Sequence, residues 1–196
     1  MPAQSLLYYL SDLDAEGIAR VRLVWPGLPV ELRRRLINCL VEMAEADFEL
    51  NFSEVFRMGL EDEDAEVRTA SIEGLWEDED VRLVPLLVAR LQDDESASVR
   101  AAAAQSLGRF ILLGELNKIH QEPYHIAYQA VLATCQNEHE DIEVQRRALE
   151  SLAYADNETV IRLIHKAYAS PHEKMRVSAV FAMGRSANTY WSRHVR

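Results

Sequence analysis

The sequence has few of the residues that cross-link a chain or interrupt its secondary structure. Only two cysteines, Cys39 and Cys135, occur in 196 residues, which excludes a disulfide framework and favours a reducing compartment. Seven glycines and six prolines are a small number for this length, and aromatic residues make up only 8% of the chain. This scarcity suits a helical protein, and no long segment alternates apolar and polar residues as a strand would.

Long hydrophobic runs are missing as well. No window approaches eighteen apolar residues without a charge, so a membrane-spanning helix is not expected. The short apolar run at residues 6–10 has no basic segment before it, and Asp12 follows at once, which does not fit a signal peptide. With 48% hydrophobic residues the chain can still bury a core, so we expect a folded cytoplasmic protein.

Basic residues are outnumbered by acidic ones. The chain has 21 Lys and Arg against 32 Asp and Glu, a net charge of −11, which argues against nucleic acid or an anionic membrane as the main partner. Residues 61–95 hold thirteen acidic and three basic residues, so one segment carries almost all of this charge. Capping of helices explains most of these acids, and an acidic edge suited to a basic partner is the alternative.

One pattern recurs five times along the chain. Each copy opens with an apolar residue, usually followed by Arg, and ends with Leu or Met eight positions later. The copies are Leu32–Leu40, Val67–Leu75, Val99–Leu107, Val144–Leu152 and Met175–Met183. Positions 0, +4, +5 and +8 of this template share one side of a helix, whereas positions +2 and +6 face away. We therefore predict five amphipathic helices with a buried stripe, called B helices below.

A second amphipathic helix, called the A helix, is predicted before most B helices. The predicted A helices cover residues 53–60, 81–91, 124–135 and 158–168. Asp80 and Asn157 are the candidate N-caps of the second and fourth of them. Since neither helix of such a pair can bury its apolar stripe alone, neighbouring pairs are expected to stack.

Two segments, Leu60–Leu75 and Leu91–Gly108, resemble a HEAT repeat of the phycobilisome-lyase type. The resemblance implies an all-α fold, a right-handed α-α superhelix or HEAT-like solenoid of about five helical-hairpin repeats. In that family a turn Asp bonds to the Arg after the Val, and such pairs form a ladder. The matching residues are Asp62, Arg68, Asp94 and Arg100. The fourth and fifth repeats have His139 and Ser170 in place of the Asp, so a break in the ladder is expected there.

The whole chain, residues 1–196, is predicted to form a single repeat array. Residues 1–27 would be an N-terminal capping helix that begins near Ser11 or Asp12 and ends before the Trp25–Gly27 turn. Residues 28–184 would hold the repeats, with an insertion near 109–122. Residues 185–196 would start a further helix or be a truncated C-terminal end.

Residue patterns typical of catalysis are largely missing. The dipeptides His139-Glu140 and His172-Glu173 are similar to the His-Glu pairs with which deoxyhypusine hydroxylase, a protein built from HEAT-type repeats, holds iron. Both fall in turns before B helices, so we expect solvated turn residues. We predict no catalytic residue, metal or cofactor, and although an enzyme is not excluded, a protein without catalytic activity is the preferred hypothesis.

Outward-facing residues of the B helices form the candidate binding surface, because partners of such solenoids usually bind the concave side that these helices line. The candidate residues are Asn38, Thr69, Glu73, Gln105, Arg146, Glu150, Val177 and Phe181. Tyr154 and Arg185 could extend the rim of this surface, whereas Trp76 is expected in the core rather than as a binding anchor.

Three functions are compatible with these features. The leading hypothesis is a non-catalytic protein–protein interaction solenoid, an adaptor or assembly scaffold whose partner remains to be identified. The second is a lyase-like or chaperone-like HEAT subunit that handles a small-molecule ligand or a chromophore protein. The third is a DNA-binding HEAT-like protein, based on basic clusters at residues 33–35, 146–147 and 193–196. Thr69 and Ala101 interrupt the stripe that would join Arg34 to Arg146, so nucleic acid is the weakest of the three. The sequence does not define an oligomeric state.

Overall fold

The computed structural model describes residues 4–186 and 188–193, and these residues contain helices and turns but no β-strand. Eleven α-helices follow one another in the described residues: α1 (Gln4–Leu7), α2 (Ala15–Val24), α3 (Val30–Ala46), α4 (Ser53–Gly59), α5 (Ala65–Gly74), α6 (Leu83–Asp93), α7 (Ala97–Glu115), α8 (Gln121–Gln136), α9 (Ile142–Leu152), α10 (Glu158–Tyr168) and α11 (Glu173–Arg185). Short 3-10 helices cover Tyr8–Leu10, Trp25–Gly27 and Thr189–Arg193.

These helices divide into two compact units. The first unit covers residues 1–78 and holds α1 to α5, and the second covers residues 79–196 and holds α6 to α11. Helices α3, α5, α7, α9 and α11 correspond to the five predicted B helices, and α4, α6, α8 and α10 to the four predicted A helices.

In α5, α7 and α9 the buried stripe lies where the repeat template places it. In the α5 repeat, Val67, Ser71, Ile72 and Leu75 are each at most 2% exposed. The four equivalent residues of α7 have no exposed surface at all. Small side chains in this stripe let the A helix approach closely, since a Cβ at Gly59 of α4 would lie 2.1 Å from the Ser71 Oγ.

Asx side chains cap the starts of α2, α5, α9 and α10, and two of the predicted caps need correction. Asn157 accepts a hydrogen bond from the Val160 backbone N–H at 3.1 Å and caps α10, as predicted. α6 begins two residues later than predicted, at Leu83, because Asp80 caps the turn before it through the Arg82 N–H. α2 is capped by Asp14, which accepts from Gly17 at 2.8 Å, and not by Ser11 or Asp12.

The segment predicted to be an insertion, residues 109–122, is mostly helical. α7 continues to Glu115, about two turns past the end of the template, and α8 starts at Gln121. The extra residues therefore lengthen α7, the B helix of one repeat, and α8, the A helix of the next. Asn117 turns the chain with a φ of 54°, a left-handed conformation that Asn tolerates. Gly114 permits a close approach of α8, since a Cβ there would lie 2.2 Å from the Tyr124 ring.

The arginines of the predicted ladder bind the turn of their own repeat through its backbone, not through the Asp carboxylate. The Arg68 Nη1 donates to the carbonyl oxygens of Asp62 and Glu63 at 2.8 and 2.9 Å. Arg100 makes the same pair of bonds, at 2.8 Å to the Asp94 carbonyl oxygen and 3.1 Å to the one after it. Each arginine thus satisfies carbonyl groups that the turn leaves without helical partners.

The carboxylates of Asp62 and Glu140 each bind an arginine of the repeat before. The buried Asp62 carboxylate accepts from the Arg33 Nη1 at 3.2 Å and from the Trp25 Nε1 at 2.6 Å. Arg100 reaches forward to Glu140 at 2.7 Å, so the acid beside His139 continues the ladder where a break was predicted. These bonds run from one repeat to the next and fix the spacing of neighbouring hairpins.

The C-terminal residues form a 3-10 helix, Thr189–Arg193, where the start of a further α-helix was predicted. Trp191 is 2% exposed, and the Tyr190 hydroxyl lies 2.8 Å from the His165 Nε2 of α10. The predicted basic tail continues into residues 194–196, which lie outside the described residues, as does residue 187.

Candidate partner-binding surface

Three predicted site residues belong to the first unit. Asn38 and Glu73 are exposed and Thr69 is half-buried. The Asn38 Nδ2 donates to the Arg34 carbonyl oxygen at 2.9 Å, and the Thr69 hydroxyl donates to the Ala65 carbonyl oxygen at 2.8 Å. Both side chains are therefore held against their own helices, and Glu73 is the charged group that this part of the surface presents to solvent.

Electrostatic repulsion acts on Glu73. Partial desolvation of its carboxyl, followed by the negative charge of Glu45, raises the pKa of Glu73 above its ordinary value. The carboxylate of Glu45 on α3 thus adds to the desolvation that disfavours the charged form of Glu73 near the end of α5.

In the second unit, Glu150 is buried, which corrects its prediction as a binding residue. The Ser178 hydroxyl of α11 donates to the Glu150 Oε1 at 2.5 Å, and the Arg147 Nη1 donates to the Oε2 at 3.1 Å. Arg146 donates to the Ser178 Oγ at 2.9 Å and to the Lys174 carbonyl oxygen at 3.1 Å. This network holds α11 against α9, so Arg146 and Glu150 serve packing between repeats rather than a partner.

Helix α11 presents an exposed apolar strip. Val177 and Phe181, both predicted, are 58% and 48% exposed, and Val180 between them is 44% exposed. The Arg185 guanidinium lies over the rings of Phe181 at 4.4 Å and Tyr154 at 4.7 Å, the two distances being measured to the ring centroids. Such cation–π contacts contribute about 0.5–1 kcal/mol each at exposed sites. The two residues predicted to extend the rim, Tyr154 and Arg185, therefore brace the aromatic residue of the strip.

Sequence reasoning missed Val180, because it occupies template position +5, which was predicted to face the core. Ile37, Ile72, Ala104 and Leu149 occupy this position in the other B helices, and each is at most 2% exposed. Val180 differs because no described helix packs on that side of α11. Gln105, the remaining predicted residue, lies exposed on α7.

Trp76 is 46% exposed, which corrects the prediction that it lies in the core. It follows α5 at the template position where α7 has Gly108, and that glycine is buried.

Four of the five arginines in the internal basic clusters, Arg33, Arg34, Arg146 and Arg147, pair with carboxylates. Arg34 binds the Asp64 carboxylate at 2.6 Å, the main cause that lowers the pKa of Asp64. Arg146 pairs with Glu143 at 2.5 Å. Their neighbours Arg33 and Arg147 also form ion pairs with acidic residues. These pairs leave less positive charge for a phosphate backbone than the sequence alone indicates.

Polar groups typical of metal or catalytic sites are dispersed. His139 and His172 are exposed in turns, as predicted, and in the part of the chain that the structure describes no three His, Cys, Asp or Glu side chains converge as metal ligands. Cys135 is partly buried as a residue, and desolvation of its thiol raises its pKa to about 12.

One small open cavity of about 110 Å³ lies in the first unit. Cofactor and ligand pockets commonly measure about 300–1,000 Å³, so it is small for such a group. Its lining residues are Tyr8, Glu42, Met43, Ala46, Asp47 and Leu50.

Comparisons with known proteins bear on the repeat assignment. Residues 53–117, from α4 to just after α7, match a family model described as HEAT repeats. The chain contains HEAT repeats. A chain from the complex of CpcE and CpcF of phycocyanin lyase from Nostoc sp. PCC7120 has a similar structure, with a TM-score of 0.60 and 19% sequence identity. That match covers 86% of the HEAT-repeat chain and 99% of the other chain. The predicted family and the all-α superhelical repeat fold are thereby confirmed.

No curated protein sequence matches this HEAT-repeat protein significantly. None of the helices in residues 4–186 and 188–193 has both the length and the apolar composition needed to cross a membrane.

Proposed function

We propose that this HEAT-repeat protein is a non-catalytic protein–protein interaction scaffold, an adaptor or assembly factor that binds its partner on the outward side of its B helices. The main support is the exposed strip of α11, where Val177 and Phe181 are exposed instead of being buried and Arg185 braces the Phe181 ring. Exposed aromatic and aliphatic residues held by a rigid helix are typical anchors of protein interfaces. In the second unit the exposed Gln105 would form a polar part of such an interface, and in the first unit Asn38 and Glu73 present exposed polar groups of their own.

Affinity purification with the full-length chain as bait tests this proposal. The expected result is a discrete protein partner whose recovery falls at least about tenfold with Phe181→Ala, the loss of one interface anchor. Glu73→Lys should weaken recovery if the partner also covers the first unit. Tyr168→Ala is the matched control, because Tyr168 is an aromatic residue of α10, 45% exposed and outside the proposed surface. Circular dichroism of each variant verifies folding. If no discrete partner is recovered, or if both surface variants bind as well as the control, the scaffold proposal is wrong.

A second candidate function is supported by the structural likeness to a chain of the phycocyanin lyase complex. Under this alternative the chain is a lyase-like or chaperone-like subunit that handles a chromophore protein or a small ligand. Mixing the purified chain with a bilin and an apo-phycocyanin subunit tests it, since chromophore attachment would appear as visible absorbance that survives denaturation. Absorbance equal to that of a mixture without the chain would rule out this activity.

A further inference from the structure

The outer face of α11 is defined as Val177, Val180, Phe181 and Gly184. On α7, three of the four equivalent residues, Ala101, Ala104 and Gly108, are buried, and the fourth, Gln105, is exposed. On α7 the equivalent of Gly184 is Gly108, and a Cβ at Gly108 would lie 2.9 Å from the Ser151 Cβ of α9. A Cβ at Gly184 would meet nothing within 4 Å. Helix α7 thus receives a neighbouring B helix at this position, and α11 has the same glycine with space in front of it.

On both α7 and α9, the helix that covers them contributes a small residue to the contact. Ser151 of α9 packs on α7 at Gly108, and Ser178 of α11 packs on α9 through Arg146 and Glu150. Small side chains allow two helix backbones to approach closely. A helix that covered the outer face of α11 in the same manner would therefore carry Ala or Ser where it meets Gly184.

Charge around this face determines which partner fits. Residues 170–185, which are α11 and the turn before it, contain Lys174, Arg176 and Arg185 against Glu173, a balance opposite to that of the whole chain. Lys174 and Arg185 lie near the two ends of the strip, one turn or less beyond Val177 and Phe181. Among the described residues, no carboxylate forms an ion pair with either of these two cations. The exposed Glu173, four residues before Val177, is the one acidic residue of α11 on this side, so Lys174 and Arg185 leave the apolar strip with a net positive margin, which is complementary to an acidic helix.

A second copy of this chain is a poor occupant of the same face. A two-fold axis would pair the strip with itself in antiparallel orientation, which brings Lys174 of one copy near Arg185 of the other. Like charges placed opposite each other at a contact disfavour it. The observations therefore favour a different protein over self-association.

We propose that the outer face of α11 accepts an acidic amphipathic helix of a partner protein, which packs as a further B helix with Ala or Ser against Gly184 and with carboxylates near Lys174 and Arg185. This inference rests on the scaffold function proposed above and adds the binding mode and the chemistry of the partner. Negative charge on the partner would speed association and set the orientation of the docked helix, and the apolar strip would hold it.

Two stapled helical peptides of about 18 residues, equal to five turns, test the binding mode. Both carry Leu, Ala and Ser on one face, and the other face is Glu-rich in one peptide and Lys-rich in the other. Fluorescence anisotropy with the full-length chain should give a Kd at least about tenfold lower for the Glu peptide at low salt. Raising the salt from about 50 to about 300 mM should narrow this difference, because charge pairs at the rim are screened.

Variants of the full chain locate the site. Phe181→Asp and Gly184→Leu should each weaken binding of the Glu peptide at least about tenfold, the second by filling the space opposite the glycine. Tyr168→Ala should bind as the unmodified chain does. The proposal is overturned if the Glu peptide does not bind, if it binds no better than the Lys peptide, or if it binds the two strip variants normally. It is also overturned if light scattering finds a dimer of the chain that Phe181→Asp dissociates, since a second copy then covers the face.

The outcomes separate this inference from the scaffold function. A captured partner that depends on Phe181 while the Glu peptide fails to bind would leave the scaffold function intact and reject the acidic helix. Binding of the peptide without any captured partner would support the helix-accepting face and reject the wider scaffold function.

Discussion

Two glycines at the same template position provide a direct test of how the repeats pack. Gly108 of α7 and Gly184 of α11 both follow the last buried residue of their template helix by one position. A Cβ added at Gly108 would lie 2.7 Å from the Oγ, 2.9 Å from the Cβ and 3.2 Å from the Cα of Ser151. A rotation of the serine hydroxyl removes only the first of these clashes, so α9 itself must move. At Gly184 the added methyl group would enter open space.

The two substitutions are expected to change the free energy of unfolding in opposite directions. Forcing one extra methyl group into a packed site costs about 1–3 kcal/mol. Replacing a helical glycine by alanine recovers about 0.5–1 kcal/mol of backbone entropy. Gly108→Ala should therefore lower the free energy of unfolding by about 1 kcal/mol, and Gly184→Ala should raise it by about 0.5 kcal/mol, because only the entropy effect remains.

Urea unfolding followed by circular dichroism at 222 nm measures both changes against the unmodified chain. The midpoint should fall for Gly108→Ala and stay level or rise for Gly184→Ala, with unchanged slopes of the transition. Equal shifts for the two variants would refute the reasoning, because they would mean that contact with Ser151 does not distinguish the two positions.

Three further predictions concern charge and burial. Asp62→Ala should lower the free energy of unfolding by about 3 kcal/mol, because Arg33 and its hydrogen-bonding network lose a buried carboxylate. The control Glu61→Ala, at an exposed neighbour, should lower it by at most about 1 kcal/mol, and coinciding urea midpoints of the two variants would contradict this. Glu73→Gln should stabilise the fold at pH 7, since the raised pKa of Glu73 in the folded state means that folding disfavours its charged carboxylate. This gain in the free energy of unfolding should vanish below the ordinary glutamate pKa, and an equal gain at pH 3 and pH 7 would exclude an electrostatic cause. Cys135 should react with a thiol reagent at pH 8 far more slowly in the folded chain than in urea, because burial raises its pKa to about 12; equal rates would show an accessible thiolate.

Periodicity in the sequence predicts which side of a B helix faces the core, because every repeat contacts the same kinds of neighbours. The buried stripe of α5, from Val67 to Leu75, follows directly from this rule. On the opposite side of a B helix, the exposure of a side chain depends on which residues of the next repeat contact it. Glu150 was predicted to be exposed but is buried, because Ser178 of the following hairpin covers it, and nothing in α9 alone indicates that contact.

Contacts between repeats also explain why the predictions for Val180 and for the Asp62 carboxylate differ from the structure. Val180 has the position and side chain of a core residue, but its exposure depends on the absence of a covering helix among the described residues. The Asp62 carboxylate was predicted to bind Arg68 within its own repeat, yet it binds Arg33 of the preceding one, because the turn carbonyls already occupy Arg68. Contacts between successive repeats thus determine the surface, and a template of one repeat does not contain them.

The central claim is that the exposed strip of α11 binds a protein partner, and the affinity of a captured partner tests it most directly. Isothermal titration calorimetry would compare the unmodified full-length chain with Phe181→Ala and with the control Tyr168→Ala. We expect the Kd to rise at least about tenfold for Phe181→Ala, equivalent to about 1.4 kcal/mol, and to stay unchanged for the control. A partner that binds Phe181→Ala with unaltered affinity would contradict the account.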